Sequence, residues 1–184
     1  MYEGLEAREP SFEFKEIVYE TLGVMALAND EDIAFAAQVD VDFYVLVDVL
    51  YEHNVILSNR QLSKCSRYMT TYLERIIYPA KLEWKLERPF VLAEQLEIPF
   101  ERKFFSRTAN DASYPSGHAF GSRFLAHCFL DEFSQAENEE LRTALFQLTN
   151  RIAMSRVQIG VHSLQDIREG IRLADITYEK FPIT

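Results

Sequence analysis

The stretch ASYPSGHAF, Ala112 to Phe120, decides how this chain is read. It sets Pro115, Ser116, Gly117 and His118 directly before an apolar run, AFGSRFLAHCFL (Ala119–Leu130). Pro and Gly interrupt regular structure and Ser is a favoured N-cap, while Phe120, Phe124, Leu125, Cys128 and Phe129 recur at helical spacing. The spacing predicts a buried helix beginning near Gly117. Its first turn then carries His118 beside unpaired N–H groups at the positive end of the helix dipole, a setting that suits an anion. Phosphate is the first candidate.

Helical periodicity continues on both sides of this stretch. SFEFKEIVYETLGVMALA has Ser11 as a plausible N-cap, and a second helix is expected from about Asp32 to Tyr51, with Val39, Phe43, Leu46, Val47 and Leu50 on one stripe. A third fits SNRQLSKCSRYMTTYLERIIY, stopped by Pro79. Residues 89 to 115 read as the least regular part, a loop over an opening. Farther on, Leu141, Leu145, Leu148, Ile152 and Ile159 mark another buried stripe, and Ser163 followed by Asp166 forms a capping-box pattern for the last helix. An all-α bundle in one domain, residues 1–184, is expected.

Composition narrows the function classes. With 48% hydrophobic residues and only 6 Gly and 6 Pro the chain is expected to fold compactly. Cys65 and Cys128 sit within helical patterns without metal-ligand spacing, as buried free thiols do. The start, MYEGLEAREPSFEFKEIV, has acidic residues where a signal peptide needs basic ones, and Asp interrupts each apolar segment before membrane-spanning length. A soluble cytoplasmic protein without an integral membrane segment is therefore expected. The formal net charge of −10 disfavours nucleic acid as a partner, so a phosphate site must be a local basic pocket. Oligomeric state stays open, a homodimer included.

Three short groups then line up: KLEWKLERP, with Lys81 and Arg88; PSGH, Pro115 to His118; and SRVQIGVHSLQD, with Ser155, Arg156, His162 and Asp166. Singly, each has an ordinary reading. Lys81 and Arg88 could be solvated charges, the histidines structural, and Asp166 only a cap. Together they resemble the signature of the type 2 phosphatidic acid phosphatase superfamily, which includes soluble class A bacterial acid phosphatases and vanadium-dependent haloperoxidases. The resemblance spans residues 81 to 166.

It implies a helical bundle of that type and a phosphatase that needs no metal or cofactor and acts on a small phosphate ester. His162 maps to the nucleophile that becomes a phosphohistidine, Asp166 to the carboxylate that orients it, and His118 to the acid that protonates the leaving alcohol and later activates water. The chemistry agrees, because phosphoryl transfer spreads negative charge over equatorial oxygens that Lys81, Arg88 and Arg156 can hold, joined by the Ser116 hydroxyl and Gly117 N–H. His53 and His127 lie outside the groups and are assigned to packing or surface.

Three alternatives stand beside this reading. VDVDF, Val39 to Phe43, resembles the Asp-x-Asp start of haloacid-dehalogenase-like enzymes, which need Mg²⁺ and a parallel sheet. The same pocket in a haloperoxidase would hold vanadate. A non-catalytic acidic bundle that binds a partner protein is the third. Nucleotide, sugar phosphate, lipid headgroup and pyrophosphate remain open as substrates, because their walls fall to residues 90 to 114 and the N-terminal helices.

Overall fold

The computed structural model describes residues 5–56, 58–132 and 138–181. Among these the regular structure is entirely helical: α1 Phe14–Leu27, α2 Asp30–Gln38, α3 Tyr44–Glu52, α4 Asn59–Tyr72, a π-helical turn Leu73–Ile77, α5 Tyr78–Trp84, α6 Pro89–Gln95, α7 Gly117–Glu132, α8 Glu139–Gln158 and α9 Leu164–Lys180. No helix among them is long and apolar enough to cross a membrane.

The helix foreseen behind PSGH is the centre of the fold. α7 packs chiefly against α8 and α9, and Phe120, Phe124, Leu125, Cys128 and Phe129 are all buried. Phe120 and Phe124 stack with ring centroids 5.7 Å apart. Each such side chain removed from water stabilises the fold by roughly 1.5–3 kcal/mol. From α8, Leu141, Leu145, Ile152 and Ile159 are fully buried, with Leu148 partly so. Cys65 and Cys128 are free and buried.

Four local expectations change. Ser11 does not cap α1, whose N-cap is Glu13; Ser11 instead accepts from the Glu13 N–H through Oγ (3.2 Å) and gives its own N–H to Gln165 on α9 (2.8 Å). The expected helix from Asp32 to Tyr51 is two, broken at Val39–Phe43. Asp40 causes the break. Its buried carboxylate takes hydrogen bonds from Arg156, Ser106 and the Arg107 N–H, which turns the backbone off the helical path. VDVDF is thus a helix end and a turn, not a strand.

Pro79 also fails to stop its helix. It enters at the start of α5, directly after the π-helical turn, and the widened turn is the adjustment by which the chain passes a residue with no N–H. α5 ends at Lys85, whose φ of 48° is left-handed. Within the span expected to be irregular, α6 forms with Pro89 in its first turn, where a prolyl ring suits the helix.

Candidate active site

At the entrance of α9 the ordinary and the chemical readings of Asp166 share one oxygen. Ser163 is the N-cap and Asp166 completes a capping box. Asp166 Oδ2 accepts from the Ser163 N–H (2.7 Å) and the Ser113 hydroxyl (2.6 Å), and faces His162 Nδ1 at 3.2 Å. A carboxylate there calls for the proton on Nδ1, which leaves the lone pair on Nε2. Arg88 Nη1 stands 3.0 Å from that Nε2. Burial, then the charges of Arg88 and Lys81, hold His162 well below the ordinary imidazole range, so the ring is neutral. Burial pushes Asp166 up, against hydrogen bonds from Ser113 and Ser163 that favour the carboxylate.

The two motif cations reach the same place from α5 and the N-cap of α6. Arg88 is 4% exposed. Its Nη1 donates to the Val161 carbonyl (2.8 Å), its Nε to the Asp111 carbonyl (3.0 Å) and its Nη2 to Asp111 Oδ1 (2.7 Å). Lys81 donates to the Ala112 carbonyl, and its Nζ lies 3.4 Å from the Ser113 carbonyl and 3.3 Å from Asp111 Oδ1. Burial and the neighbouring Arg88 lower Lys81 to about 8, with Asp111 acting in the opposite sense.

A second group gathers around Asp40. Arg156 Nη2 donates to Asp40 Oδ1 (2.8 Å) and to Ser106 Oγ (2.8 Å), with both partners of the ion pair almost fully buried. Burial pushes the Asp40 carboxyl up, but bonds from Ser106, the Arg107 N–H and Arg156 outweigh it and the net shift is downward. The Asp40 carbonyl accepts from His118 Nε2 at 3.0 Å. His118 therefore carries its proton on Nε2. Burial and the charge of Arg156 bring it down to about 3, and Phe43 meets the ring edge-on at 5.7 Å.

Between these groups lies a pocket of about 270 Å³ lined by Lys81, Arg88, Asp111, Gly117, His118 and His162, among others. A groove of about 830 Å³ adjoins it, sharing Tyr78, Lys81, Arg88 and Asp111. Ser116, Arg156 and Asp166 stand behind the pocket wall. Ser116 is fully buried, with its Oγ 3.4 Å from the Ala119 N–H as an N-cap would be. Gly170 on α9 lets this turn dock, because a Cβ there would come within 2.5 Å of the Ser116 carbonyl. Among the described residues no three His, Cys, Asp or Glu side chains converge to hold a metal ion.

The chain matches no protein-family model and no curated protein. Residues 81 to 166 therefore speak through geometry alone: His162, Lys81, Arg88, Gly117 and His118 meet at one pocket, with Asp166 bonded to His162. Asp40, Asp111 and Ser113 belong to the same assembly; Asp111 and Ser113 were not foreseen, and Asp40 was met only as part of VDVDF, in another role. His53, bonded to the Val49 carbonyl at 2.9 Å, and His127, bonded to Asp175 at 2.8 Å and stacked on Tyr178, have structural partners away from the pocket.

Proposed function

We propose that this protein is a phosphatase of the type 2 phosphatidic acid phosphatase kind, hydrolysing small phosphate esters through a phosphohistidine on His162. The observation that carries the reading is the orientation of His162. Its Nδ1 faces Asp166 and its Nε2 faces Arg88 at the pocket wall, so a neutral imidazole presents a lone pair where cations would hold an anion. In-line attack of Nε2 on phosphorus breaks the bond to the leaving oxygen, and Asp166 stabilises the imidazolium charge that develops. Water then attacks the phosphohistidine, releasing orthophosphate and restoring the ring.

The remaining groups have graded parts. Lys81 and Arg88 line the pocket and bind equatorial oxygens directly, joined by the Gly117 N–H at the start of α7. Arg156 is bonded to Asp40, so it contributes its charge from behind the wall and fixes the Asp40 carbonyl that orients His118. Neutral His118 with a lone pair on Nδ1 is ready to activate water in the second step. Its acid role in the first step needs a bound phosphoryl dianion to raise its pKa.

Hydrolysis of phosphate monoesters that survives exhaustive EDTA treatment, with radiolabelled phosphate trapped on His162 after rapid quenching, is the expected result. Label on an aspartate, or activity lost on chelation and restored by Mg²⁺, overturns the histidine mechanism. Halide oxidation in the presence of vanadate, without ester hydrolysis, would select the haloperoxidase chemistry instead.

A further inference from the structure

The cations that face the pocket are already bound to an anion, and it belongs to the chain. Asp111 Oδ1 lies 2.7 Å from Arg88 Nη2 and 3.3 Å from Lys81 Nζ, bridging the two side chains best placed for phosphate oxygens. Asp111 lines both the 270 Å³ pocket and the 830 Å³ groove beside it. The two cations are nearly buried, but the Asp111 side chain is 50% exposed. A carboxylate so placed gives up little packing when it rotates into water.

We infer that Asp111 is a built-in competitor, a carboxylate that occupies the anion position between Lys81 and Arg88 and that an incoming phosphoryl group must displace. This rests on the phosphatase reading and adds the residue that sets its affinity. The cations do not depend on Asp111's side chain for their placement. Arg88 is also held by the Val161 and Asp111 carbonyls, and Lys81 by those of Ala112 and Ser113. Those four acceptors are main chain, so removing the carboxylate frees donors without releasing the side chains that carry them. The bound fraction then obeys simple competition: apparent affinity falls by the share of molecules in which the carboxylate is seated.

Displacement has a signature that separates it from fixed repulsion. A competitor that leaves weakens every anion by the same factor, whatever the charge on that anion. A carboxylate that stayed in the wall would penalise a dianion more than a monoanion. Asp111 also helps keep Lys81 protonated, so the comparison belongs at about pH 6, well below the value near 8 at which Lys81 titrates in the intact site.

The experiment is calorimetric titration of the full chain and of Asp111→Asn and Asp111→Ala with orthophosphate, sulfate and methanesulfonate. Cooperative thermal unfolding of each variant verifies that it is folded. Both variants are expected to bind orthophosphate about tenfold more tightly or better, the scale of a charge-assisted hydrogen bond, with an equal gain for dianionic sulfate and monoanionic methanesulfonate. A gain confined to sulfate, the dianion at this pH, overturns displacement in favour of a static repulsive wall. Unchanged or weaker binding overturns it too, by making Asp111 a support for Lys81 and Arg88. If neither wild type nor variants bind any of the three anions, the phosphate reading itself fails and the competitor fails with it.

Discussion

The two histidines of the pocket rest on scaffolds of opposite kind. His162 is oriented by a residue four positions along its own chain, in a capping box whose Ser163 is its neighbour, with Ser113 closing the carboxylate from outside. His118 is oriented by Asp40, whose carboxylate draws in Arg156 from α8 and Ser106 from the connection between α6 and α7. The core of the first arrangement lies within five consecutive residues, His162 to Asp166, at the start of α9. The second exists only when four separate segments have docked, so a lesion there should spread to stability and to chemistry at once.

Two substitutions test this contrast. His162→Ala should lower kcat by about 10⁴-fold or more, the range seen when a nucleophile is removed and residual binding remains. Thermal unfolding of that variant should stay close to wild type. Asp40→Ala should instead destabilise the fold by about 3–5 kcal/mol, because it strands the buried Arg156 charge, and should lower kcat as well. Urea unfolding measures the first loss and steady-state rates the second. If Asp40→Ala folds as stably as wild type, the Asp40 cluster is not the non-local scaffold described here.

The contrast also explains what was legible in the amino-acid sequence. α7, the capping box of α9 and the stripe of α8 follow from periodicity and local cap chemistry, which need only neighbours along the chain. The break at Val39–Phe43 does not. Its cause is a bond from Asp40 to Arg156 across 116 positions, and no window of residues around Asp40 contains that partner. Asp111 escaped for the same reason, since a carboxylate in a polar loop acquires meaning only from Lys81 and Arg88. The passage through Pro79 is a third case, where a π-helical turn overrides a local rule.

Acid should erode stability through both scaffolds alike. Burial leads the downward shift of His118, from 6.5 to about 3, and of His162. The unfolded chain therefore binds more protons than the folded one below about pH 6.5, and stability, complete above that value, falls as pH drops. His118 should contribute a loss of about 1.5 kcal/mol between pH 6.5 and 5, and His162 a loss of the same sign. Asp40, lowered from its ordinary 3.8, acts below this window, whereas Asp166, pushed up by burial, takes up its proton in the folded state and works against the histidines. His118→Gln and His162→Gln should each weaken the dependence measured by chemical unfolding across that range. A profile left unchanged by both variants refutes the burial of neutral histidines. Lys81 runs in the same sense at higher pH: lowered to about 8 from 10.5, it lets stability rise with pH between those values, while anion binding fades there as the ammonium loses its proton.

The last contrast sets two glycines where α7 meets α9 side by side, and the smallest effect on stability belongs to Gly117. Gly170 is required by the protein: a Cβ there would sit 2.5 Å from the Ser116 carbonyl and 3.0 Å from the Ala119 Cβ, so Gly170→Ala should cost about 1–3 kcal/mol by forcing α9 away from α7. Gly117 is not, for its nearest neighbours would be Leu73 at 3.8 Å and Ile77 at 3.9 Å, ordinary contacts. Ala at a helix start is tolerated, and Gly117→Ala should change stability by no more than about 0.5 kcal/mol. Yet Gly117 lines the pocket, and the added methyl would hinder an anion approaching the first N–H groups of α7. Orthophosphate affinity should therefore fall in Gly117→Ala with the melting temperature unmoved, a separation that a purely structural glycine does not produce. Equal affinity in wild type and Gly117→Ala would take the backbone of α7 out of the phosphate site and leave binding to Lys81 and Arg88 alone.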